Sequence, residues 1–115
     1  MAFFTPAGTK IKIWNALTGD VKKIYSDITT TEITAFKLDN LDKRFIIGDS
    51  SGTVALFNVI NGAKIKNLPK HSGEVVAIVH ASDIGAFFTG SMDNNVFMTL
   101  DNEFGESVLL RTFII

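Results

Sequence analysis

Two stretches of this chain repeat one pattern, and this repeat limits the possible fold more than any other feature of the sequence. Residues 32–57 align without a gap on residues 74–99, so the spacing is 42 residues. Five of the 26 aligned pairs are identical, and in the first copy they are Glu32, Ala35, Phe45, Gly48 and Val54. Both copies consist of short apolar runs between turn-forming residues, which is the pattern of β-strands joined by tight turns. The repeating unit is therefore a small β-sheet.

A period in the low forties with several short strands is typical of β-propeller blades, which bury their faces against neighbouring blades. The chain has 115 residues and holds about 2.7 such units, whereas the smallest propellers have about four blades. The sequence therefore predicts an all-β fold of four-stranded antiparallel blades, with about eleven strands and no helix. We expect a truncated blade at residues 1–28 and blades at 29–69 and 70–115. The missing blades are expected from a longer polypeptide or from another chain.

A second set of markers recurs at a spacing of 43 residues. It consists of Asn15, Asn58 and Asp101, followed four residues later by Gly19, Gly62 and Gly105. An Asn or Asp that bonds the nearby backbone, followed by a glycine free to take positive φ, predicts equivalent hairpin turns. The spacings of 42 and 43 disagree within residues 95–100, which predicts a β-bulge there. The sequence leaves open whether Thr99 or Leu100 takes the place of Phe57.

The tetrapeptide Ala-Phe-Phe-Thr also occurs twice, at residues 2–5 and 86–89. In the later copy it belongs to the second strand of a blade. The chain is therefore expected to open on the second strand of its first blade.

Charge and composition exclude several classes of partner and site. The net charge is −1, from 11 basic and 12 acidic residues, so there is no single-sign field to attract nucleic acid or anionic lipid. The chain has no cysteine, which excludes disulfides and thiolate metal sites and agrees with a cytoplasmic location. No signal peptide and no long apolar run is present, so membrane insertion is not expected. The hydrophobic content of 46% fits an incomplete stack with an open apolar face.

The third blade resembles a repeat of the WD-repeat family, on Lys-His-Ser-Gly-Glu-Val at residues 70–75, Asp83, and Gly-Ser-Met-Asp-Asn-Asn-Val at residues 90–96. The resemblance extends over the whole chain. It implies a propeller that acts as a non-catalytic scaffold for contacts with other proteins. It further implies a tetrad of histidine, hydroxyl, aspartate and tryptophan that forms hydrogen bonds within each blade.

Carried over to this sequence, the tetrad is incomplete in every blade. The third blade has His71 and Asp83, with Ala77 in place of the hydroxyl and Thr99 or Leu100 in place of the indole. The second blade has none of the four residue types, and its four positions hold Thr29, Ala35, Leu41 and Phe57. The first blade retains Trp14. The resemblance therefore implies divergent blades that are held together mainly by apolar packing.

Residues 43–52 and 68–75 are also similar to the large WD-repeat proteins of ciliary axonemes. This similarity suggests a location in the cilium or axoneme in addition to the cytoplasm.

Two further functions are considered as alternatives. Gly-Asp-Ser-Ser-Gly at residues 48–52 matches the nucleophile elbow of serine hydrolases, with Ser50 as nucleophile, but such an elbow must lead into a helix. Residues 53–57 are β-branched and aromatic instead, so a hairpin turn is expected. The other alternative is a propeller fragment that associates with itself through its open faces. A metal site at His71 and His80 would need further Asp or Glu ligands at distances that the sequence does not show, and neither metal nor cofactor is expected.

Overall fold

The computed structural model describes residues 2–39, 43–101 and 109–114 of the chain, and eleven β-strands run through these ranges without a helix. The strands are β1 (Ala2–Ala7), β2 (Lys10–Asn15), β3 (Val21–Tyr25), β4 (Ile33–Leu38), β5 (Arg44–Asp49), β6 (Val54–Asn58), β7 (Lys64–Leu68), β8 (Val75–Ala81), β9 (Ala86–Ser91), β10 (Asn95–Leu100) and β11 (Leu109–Ile114). The predicted all-β fold is confirmed.

The strands form three antiparallel sheets in which each strand pairs with the next one along the chain. The first sheet has the order β1-β2-β3, the second β4-β5-β6-β7, and the third β11-β10-β9-β8. The chain divides into two compact units, Met1–Ile33 with the first sheet and Thr34–Ile115 with the other two. The blade boundaries at residues 1–28, 29–69 and 70–115 stay a prediction.

The strands differ in which of their side chains are buried. In β2, Ile11 and Ile13 are buried while Lys12 between them is only half-buried, as expected where alternate side chains point to opposite faces. In β5 and β6, the two central strands of the second sheet, nearly every residue is buried.

The core of the larger unit lies between the second and third sheets. Its buried residues are Ile46, Val54, Leu56 and Leu68 from the second sheet and Val75, Ile78 and Phe87 from the third. Glycines allow the sheets to approach closely. A Cβ atom at Gly48 would overlap the side chain of Val75, and one at Gly52 would overlap the carbonyl oxygen of His71. Gly52 also has a φ of 94°, a conformation that side-chain-bearing residues rarely adopt.

The opposite face of the second sheet carries an aromatic column. The ring centroids of Phe36 and Phe45 are 5.7 Å apart, and those of Phe45 and Phe57 are 5.2 Å apart. Phe45 and Phe57 are both buried, and they pair directly across β5 and β6. This aromatic packing stabilises the second sheet through burial of large apolar surfaces.

A register shift occurs at the same place in all three sheets. It lies between Ile13 and Trp14, between Leu56 and Phe57, and between Met98 and Thr99. The bulge expected within residues 95–100 is therefore present, and it is common to the three sheets. Thr99 pairs with Phe87 as Phe57 pairs with Phe45, so Thr99 takes the place of Phe57, and Leu100, which pairs with Ala86, takes the place of Asn58.

The hairpin turns that join β2 to β3 and β6 to β7 have equivalent structures. Gly19 and Gly62 have φ angles of 77° and 70°, and their N–H groups donate to the carbonyl oxygens of Asn15 and Asn58. The third turn of this series, which ends at Gly105, lies outside the described residues.

Candidate functional site

Polar side chains form a cluster at each of the two ends of the antiparallel third sheet. The turn cluster, at the end where β8 begins and β9 meets β10, consists of His71, Thr89, Asp93 and Phe97. The bridge cluster, at the end where β8 and β10 finish, consists of Asp39, Arg44, His80 and Asp101. Both clusters lie within the unit Thr34–Ile115.

In the turn cluster, both ring nitrogens of His71 are engaged. Nδ1 lies 3.1 Å from Oδ2 of Asp93, and Nε2 lies 2.8 Å from the hydroxyl oxygen of Thr89. Because a carboxylate only accepts hydrogen bonds, Nδ1 donates to Asp93, and Nε2 shares a hydrogen bond with the Thr89 hydroxyl. The ring of Phe97 stacks on the imidazole at 4.0 Å, and His71 is 1% exposed. The histidine therefore fixes the segment before β8 against the β9–β10 turn.

The carboxylate of Asp93 is held by several donors. Burial raises its pKa, but hydrogen bonds from the N–H groups of Asn95 and Ser72 and from His71 outweigh this effect and lower the pKa to about 2. The two backbone bonds measure 2.9 Å and 3.0 Å. Asp93 is therefore a charged acceptor around which the turn is organised.

The hydrogen-bond partners of His71 differ from the residues that the family resemblance implied. Asp83 is exposed in the β8–β9 turn and belongs to neither cluster, and Ala77 is an exposed residue of β8. The reason is the antiparallel topology: the β8–β9 turn lies at the end of the sheet opposite to His71, and only the β9–β10 turn returns to it. The carboxylate of the tetrad is therefore Asp93, and its hydroxyl is Thr89.

A signal for the hydroxyl was present in the sequence. The repeated Ala-Phe-Phe-Thr places Thr5 and Thr89 at equivalent positions of β1 and β9. In the first sheet the indole Nε1–H of Trp14 donates to the hydroxyl oxygen of Thr5 at 2.8 Å. The first sheet thus has two members of such a cluster, the indole and the hydroxyl, and the third sheet has three, the imidazole, the hydroxyl and the carboxylate.

The tryptophan position holds a different residue in each sheet. Trp14 stacks on Phe3 at 6.0 Å, and Phe57 stacks on Phe45. Thr99 is 1% exposed, and its hydroxyl has no hydrogen-bond partner among the described residues. The third sheet therefore has a small polar side chain where the other two have a large aromatic one.

The bridge cluster joins the second sheet to the third through Arg44. Its Nε donates to Asp39 at 2.8 Å, and its two terminal nitrogens donate to the two carboxylate oxygens of Asp101 at 3.0 Å and 3.1 Å. The side chains of Arg44, Asp39 and Asp101 are only 14%, 2% and 13% exposed. Such a bidentate arginine–carboxylate pair fixes both distance and orientation, so it sets how the two sheets meet at this end.

The electrostatics of the bridge cluster reflect this pairing. Burial raises the pKa of Asp101, but hydrogen bonds from Arg44 and His80 outweigh it, so the pKa lies below its ordinary value. Burial likewise opposes the lowering of the pKa of Asp39, which Arg44 and the backbone N–H of Lys43 produce. The pKa of Arg44 is raised, because its bonds to both carboxylates exceed the effect of burial. Burial lowers the pKa of nearby Lys66.

His80 completes the bridge cluster. Its Nε2 lies 2.8 Å from Asp101 and therefore donates to that carboxylate, while the ring stacks on Phe87 at 4.6 Å. The guanidinium carbon of Arg44 lies 5.9 Å from the centroid of the same phenyl ring. Nδ1 of His80 is buried and has no hydrogen-bond partner among the described residues. Thus, among the described residues, only one ring nitrogen of His80 has a hydrogen-bond partner, whereas both ring nitrogens of His71 have one.

The turn that contains Ser50 does not have the structure of a nucleophile elbow. Residues 48–52 join β5 to β6, and the segment after Gly52 is a strand, whereas the elbow requires a helix. Asp49 is buried and accepts hydrogen bonds from the N–H groups of Ser51 and Thr53, which makes it the organiser of a hairpin turn. The condition on which the hydrolase alternative depended is not met.

Two further searches concern metal ions and membranes. In the part of the chain that the structure describes, no group of three or more His, Cys, Asp or Glu side chains is placed to hold a metal ion. Within the same residues, no helix has the length and apolar character that a membrane span requires.

Comparison with solved structures decides the architecture. The crystal structure of the WD40 β-propeller domain of Doa1 superposes with a TM-score of 0.85 and 21% sequence identity, over 99% of this chain and 36% of that chain. This chain has the WD-repeat β-propeller fold. The three sheets are accordingly blades, and the WD-repeat resemblance inferred from the sequence is confirmed.

Comparison with curated proteins adds two relatives. Cilia- and flagella-associated protein 337 B of Tetrahymena thermophila is 60% identical over 112 residues, which are 97% of this chain and 9% of that protein. Anaphase-promoting complex subunit cdc20 of Dictyostelium discoideum is 27% identical over 93 residues, or 80% of this chain and 18% of that protein. The WD-repeat segment thus spans less than a fifth of either relative. No family model matches the chain.

Proposed function

We propose that this chain is a segment of a non-catalytic scaffold for protein–protein contacts in a cilium or flagellum. The observation that carries the proposal is the 60% identity, over nearly the whole chain, to a cilia- and flagella-associated protein. The fold supports it, because stacked blades fixed by an apolar core and by two polar clusters hold their turns at defined positions. The partners are other proteins of the ciliary cytoskeleton. The protein reaches them from the cytoplasm without entering a membrane.

We further infer that blades beyond these three complete the propeller and that one of them covers the outer face of the third sheet. This face carries Ala77, Val79, Phe88, Val96, Met98 and Phe113, together with Arg111, whose guanidinium lies over the ring of Phe113. Val79 is 53% exposed and Phe113 is 39% exposed. An apolar sheet face of this kind is stable in water only when another sheet packs on it. The match to 36% of the Doa1 chain supports the same inference.

Localisation and fractionation of the full-length protein test the scaffold proposal. An epitope-tagged copy in a ciliated cell should appear along the cilium and should remain with the axoneme after detergent removes the membrane. A protein that stays in the cell body, or that leaves with the detergent-soluble fraction, would contradict the ciliary scaffold.

Substitution of Val79 by aspartate tests the packing of a further blade. The added charge should make peptides of the third sheet exchange their amide hydrogens much faster in the full-length protein. The matched control is Val76→Asp, at a residue that is also about half exposed but is skipped in the pairing of β8 with β9. Equal effects of the two substitutions would show that the outer face is not covered.

A further inference from the structure

The β6–β7 turn contains the dipeptide Asn61-Gly62, which occurs once in the sequence. Asn61 is exposed, and Gly62 has a φ of 70°. An asparagine amide is a chemically labile group, and glycine is the residue that shields its own backbone nitrogen least, since it has no side chain. The turn therefore combines an accessible amide with an unshielded nitrogen directly after it.

The side chain of Asn61 is folded forward over the peptide that follows it. Its Oδ1 accepts a hydrogen bond from the N–H of Ala63 at 2.9 Å. Because the nitrogen of Gly62 lies one residue before that of Ala63, this bond brings Cγ of Asn61 towards the Gly62 nitrogen. The same N–H is placed to stabilise negative charge on Oδ1 when a nucleophile adds to Cγ. The bond thus favours an attack by Gly62 through both position and charge.

A second hydrogen bond opposes this attack. The N–H of Gly62 donates to the carbonyl oxygen of Asn58 at 2.8 Å, and the nitrogen has to lose this bond and its proton before it can act as a nucleophile. An exposed turn can open at low free energy while the strands on either side stay paired. Local opening of the turn therefore limits the rate, and the rate rises with pH as the nitrogen loses its proton more readily.

Asn58 provides an internal reference in the same turn. Its Oδ1 also accepts a hydrogen bond from the second residue after it, the N–H of Ile60, at 2.8 Å. The residue that follows Asn58 is Val59, whose β-branched side chain shields its backbone nitrogen. Asn58 and Asn61 thus share the side-chain hydrogen bond and differ in the residue that would attack.

The first sheet shows that the turn does not require an asparagine at this position. Thr18 stands there, and its hydroxyl oxygen accepts a hydrogen bond from the N–H of Asp20 at 3.3 Å. The N–H of Gly19 donates to the carbonyl oxygen of Asn15 at 2.9 Å, as that of Gly62 does to Asn58. Threonine therefore makes the same contacts in this turn without offering an amide.

We propose that Asn61 is a site of spontaneous covalent modification in the folded protein. The nitrogen of Gly62 gives up its proton and attacks Cγ of Asn61. The new C–N bond closes a five-membered succinimide ring, the bond from Cγ to Nδ2 breaks, and Nδ2 leaves as ammonia. Water then opens the ring. Cleavage of the new bond gives aspartate, and cleavage of the original peptide bond gives isoaspartate.

Both products change the β6–β7 turn. Each adds a carboxylate, and the isoaspartyl form also adds one methylene group to the backbone, which alters a turn closed by the bond from Gly62 to Asn58. The isoaspartyl form leaves the α-carboxylate free, and this is the group that methyltransferases of the isoaspartyl-repair class accept. The modification depends on neither the ciliary location nor the partners of the scaffold, so it stands or falls independently of them.

Peptide mass spectrometry of the full-length protein tests the proposal. After incubation in mildly alkaline buffer and digestion with trypsin, Asn58 and Asn61 lie in one peptide, residues 45–64, and fragmentation assigns the change from amide to acid to one of them. Conversion at Asn61 should exceed conversion at Asn58 about ten-fold or more, and it should be slower in mildly acidic buffer. Labelling with a purified isoaspartyl methyltransferase and a methyl donor should mark the isoaspartyl product in the same peptide.

Two substitutions exchange the residues of the equivalent turns. Asn61→Thr should keep the turn and abolish methyl labelling of residues 45–64, whereas Thr18→Asn should create a second site in the first sheet. Equal conversion at Asn58 and Asn61 would overturn the proposal, as would no conversion of Asn61 until urea unfolds the protein. A Thr18→Asn variant that stays unmodified at the new asparagine would also contradict it, because the two turns have the same hydrogen bonds.

Discussion

The turn cluster and the bridge cluster place a histidine in similar surroundings and use it differently. Each histidine donates to an aspartate and stacks on a phenylalanine. His71 has a partner on both nitrogens, and all its side-chain bonds stay within the third blade. His80 has one partner, Asp101, which it shares with Arg44 from the second blade. The first cluster therefore stabilises the internal structure of a blade, and the second fixes one blade to the next.

The difference shows how a divergent propeller can lose parts of its repeated hydrogen-bond tetrad and remain ordered. The second blade has no counterpart of the His71 cluster at Thr29, but Arg44 connects it to the third blade. The ion pair between Arg44 and Asp101 joins residues 57 positions apart and does not follow the 42-residue repeat. Apolar burial between Ile46, Leu56 and Phe87 supplies the remaining stabilisation.

Replacement of Arg44 should cause the largest loss of folding stability. A small loss would contradict the role of the bridge cluster as the contact that fixes one blade to the next. Arg44→Met retains the apolar stem but leaves Asp39 and Asp101 without their cation, and breaking a buried pair in this way costs about 3 to 5 kcal/mol. Native-state hydrogen exchange of peptides from β5, β8 and β10 in the full-length protein measures the loss. The control is Lys43→Met, at an adjacent exposed residue, which should change the exchange little. Equal effects would mean that the bridge cluster does not fix the blades.

Substitution of His71 or His80 by alanine should cause a smaller loss of stability than replacement of Arg44, and the two losses compare the two clusters directly. His71→Ala leaves the buried Thr89 without its partner and removes one of the donors to Asp93, and it should cost about 2 to 3 kcal/mol. His80→Ala leaves Asp101 bonded to Arg44 and should cost about 1 kcal/mol. Exchange should accelerate in the β9–β10 turn for the first variant and at the β5–β10 contact for the second. A larger loss for His80→Ala would reverse the roles assigned to the clusters.

Acid titration tests the carboxylate of the turn cluster. The pKa of Asp93 in the folded protein, about 2, lies below the ordinary value of 3.8, so Asp93 stabilises the fold fully above pH 3.8. That contribution should disappear as the pH falls from 3.8 towards 2. Asp93→Asn should remove this part of the acid sensitivity, as measured by the midpoint of urea unfolding against pH. An unchanged acid profile in the variant would show that Asp93 does not supply it.

The smallest effect is expected at the tryptophan position of the third blade. Thr99→Val keeps the shape of the side chain but removes a buried hydroxyl that has no partner among the described residues. Stability should stay the same or rise by up to about 1 kcal/mol, because no hydrogen bond is lost. Thermal unfolding of the wild type and of the Thr99→Val variant shows whether stability rises or falls. A clear destabilisation would indicate that the hydroxyl of Thr99 is bonded in the folded protein.

The sequence predicted the all-β fold of antiparallel sheets and about eleven strands. It did so because period-two alternation and turn residues are local properties of the chain, and the 42-residue repeat marks equivalent strands. It also predicted the bulge within residues 95–100, but not that the same register shift precedes Trp14 and Phe57. The pairing of Thr99 with Phe87 was needed to decide which residue takes the tryptophan position.

The polar clusters were less accessible to sequence reasoning. The resemblance implied Asp83 as the carboxylate for His71 and placed Ala77 at the hydroxyl position, whereas His71 bonds to Asp93 and Thr89 in the structure. Arg44 and Asp101 were not recognised as a pair, since 57 residues separate them and no motif connects them.

What the sequence alone determined about this protein is its β-strands, its turns and its repeat, since these depend on backbone preferences and on the alternation of apolar side chains over a few residues. The tertiary structure decided which side chains meet. Antiparallel pairing brings the β9–β10 turn, rather than the β8–β9 turn, back to His71, and the stacking of two sheets carries Arg44 to Asp101. Contacts of this kind depend on the direction of strands and on the approach of separate sheets, and the spacing of residues along the chain does not encode either one directly.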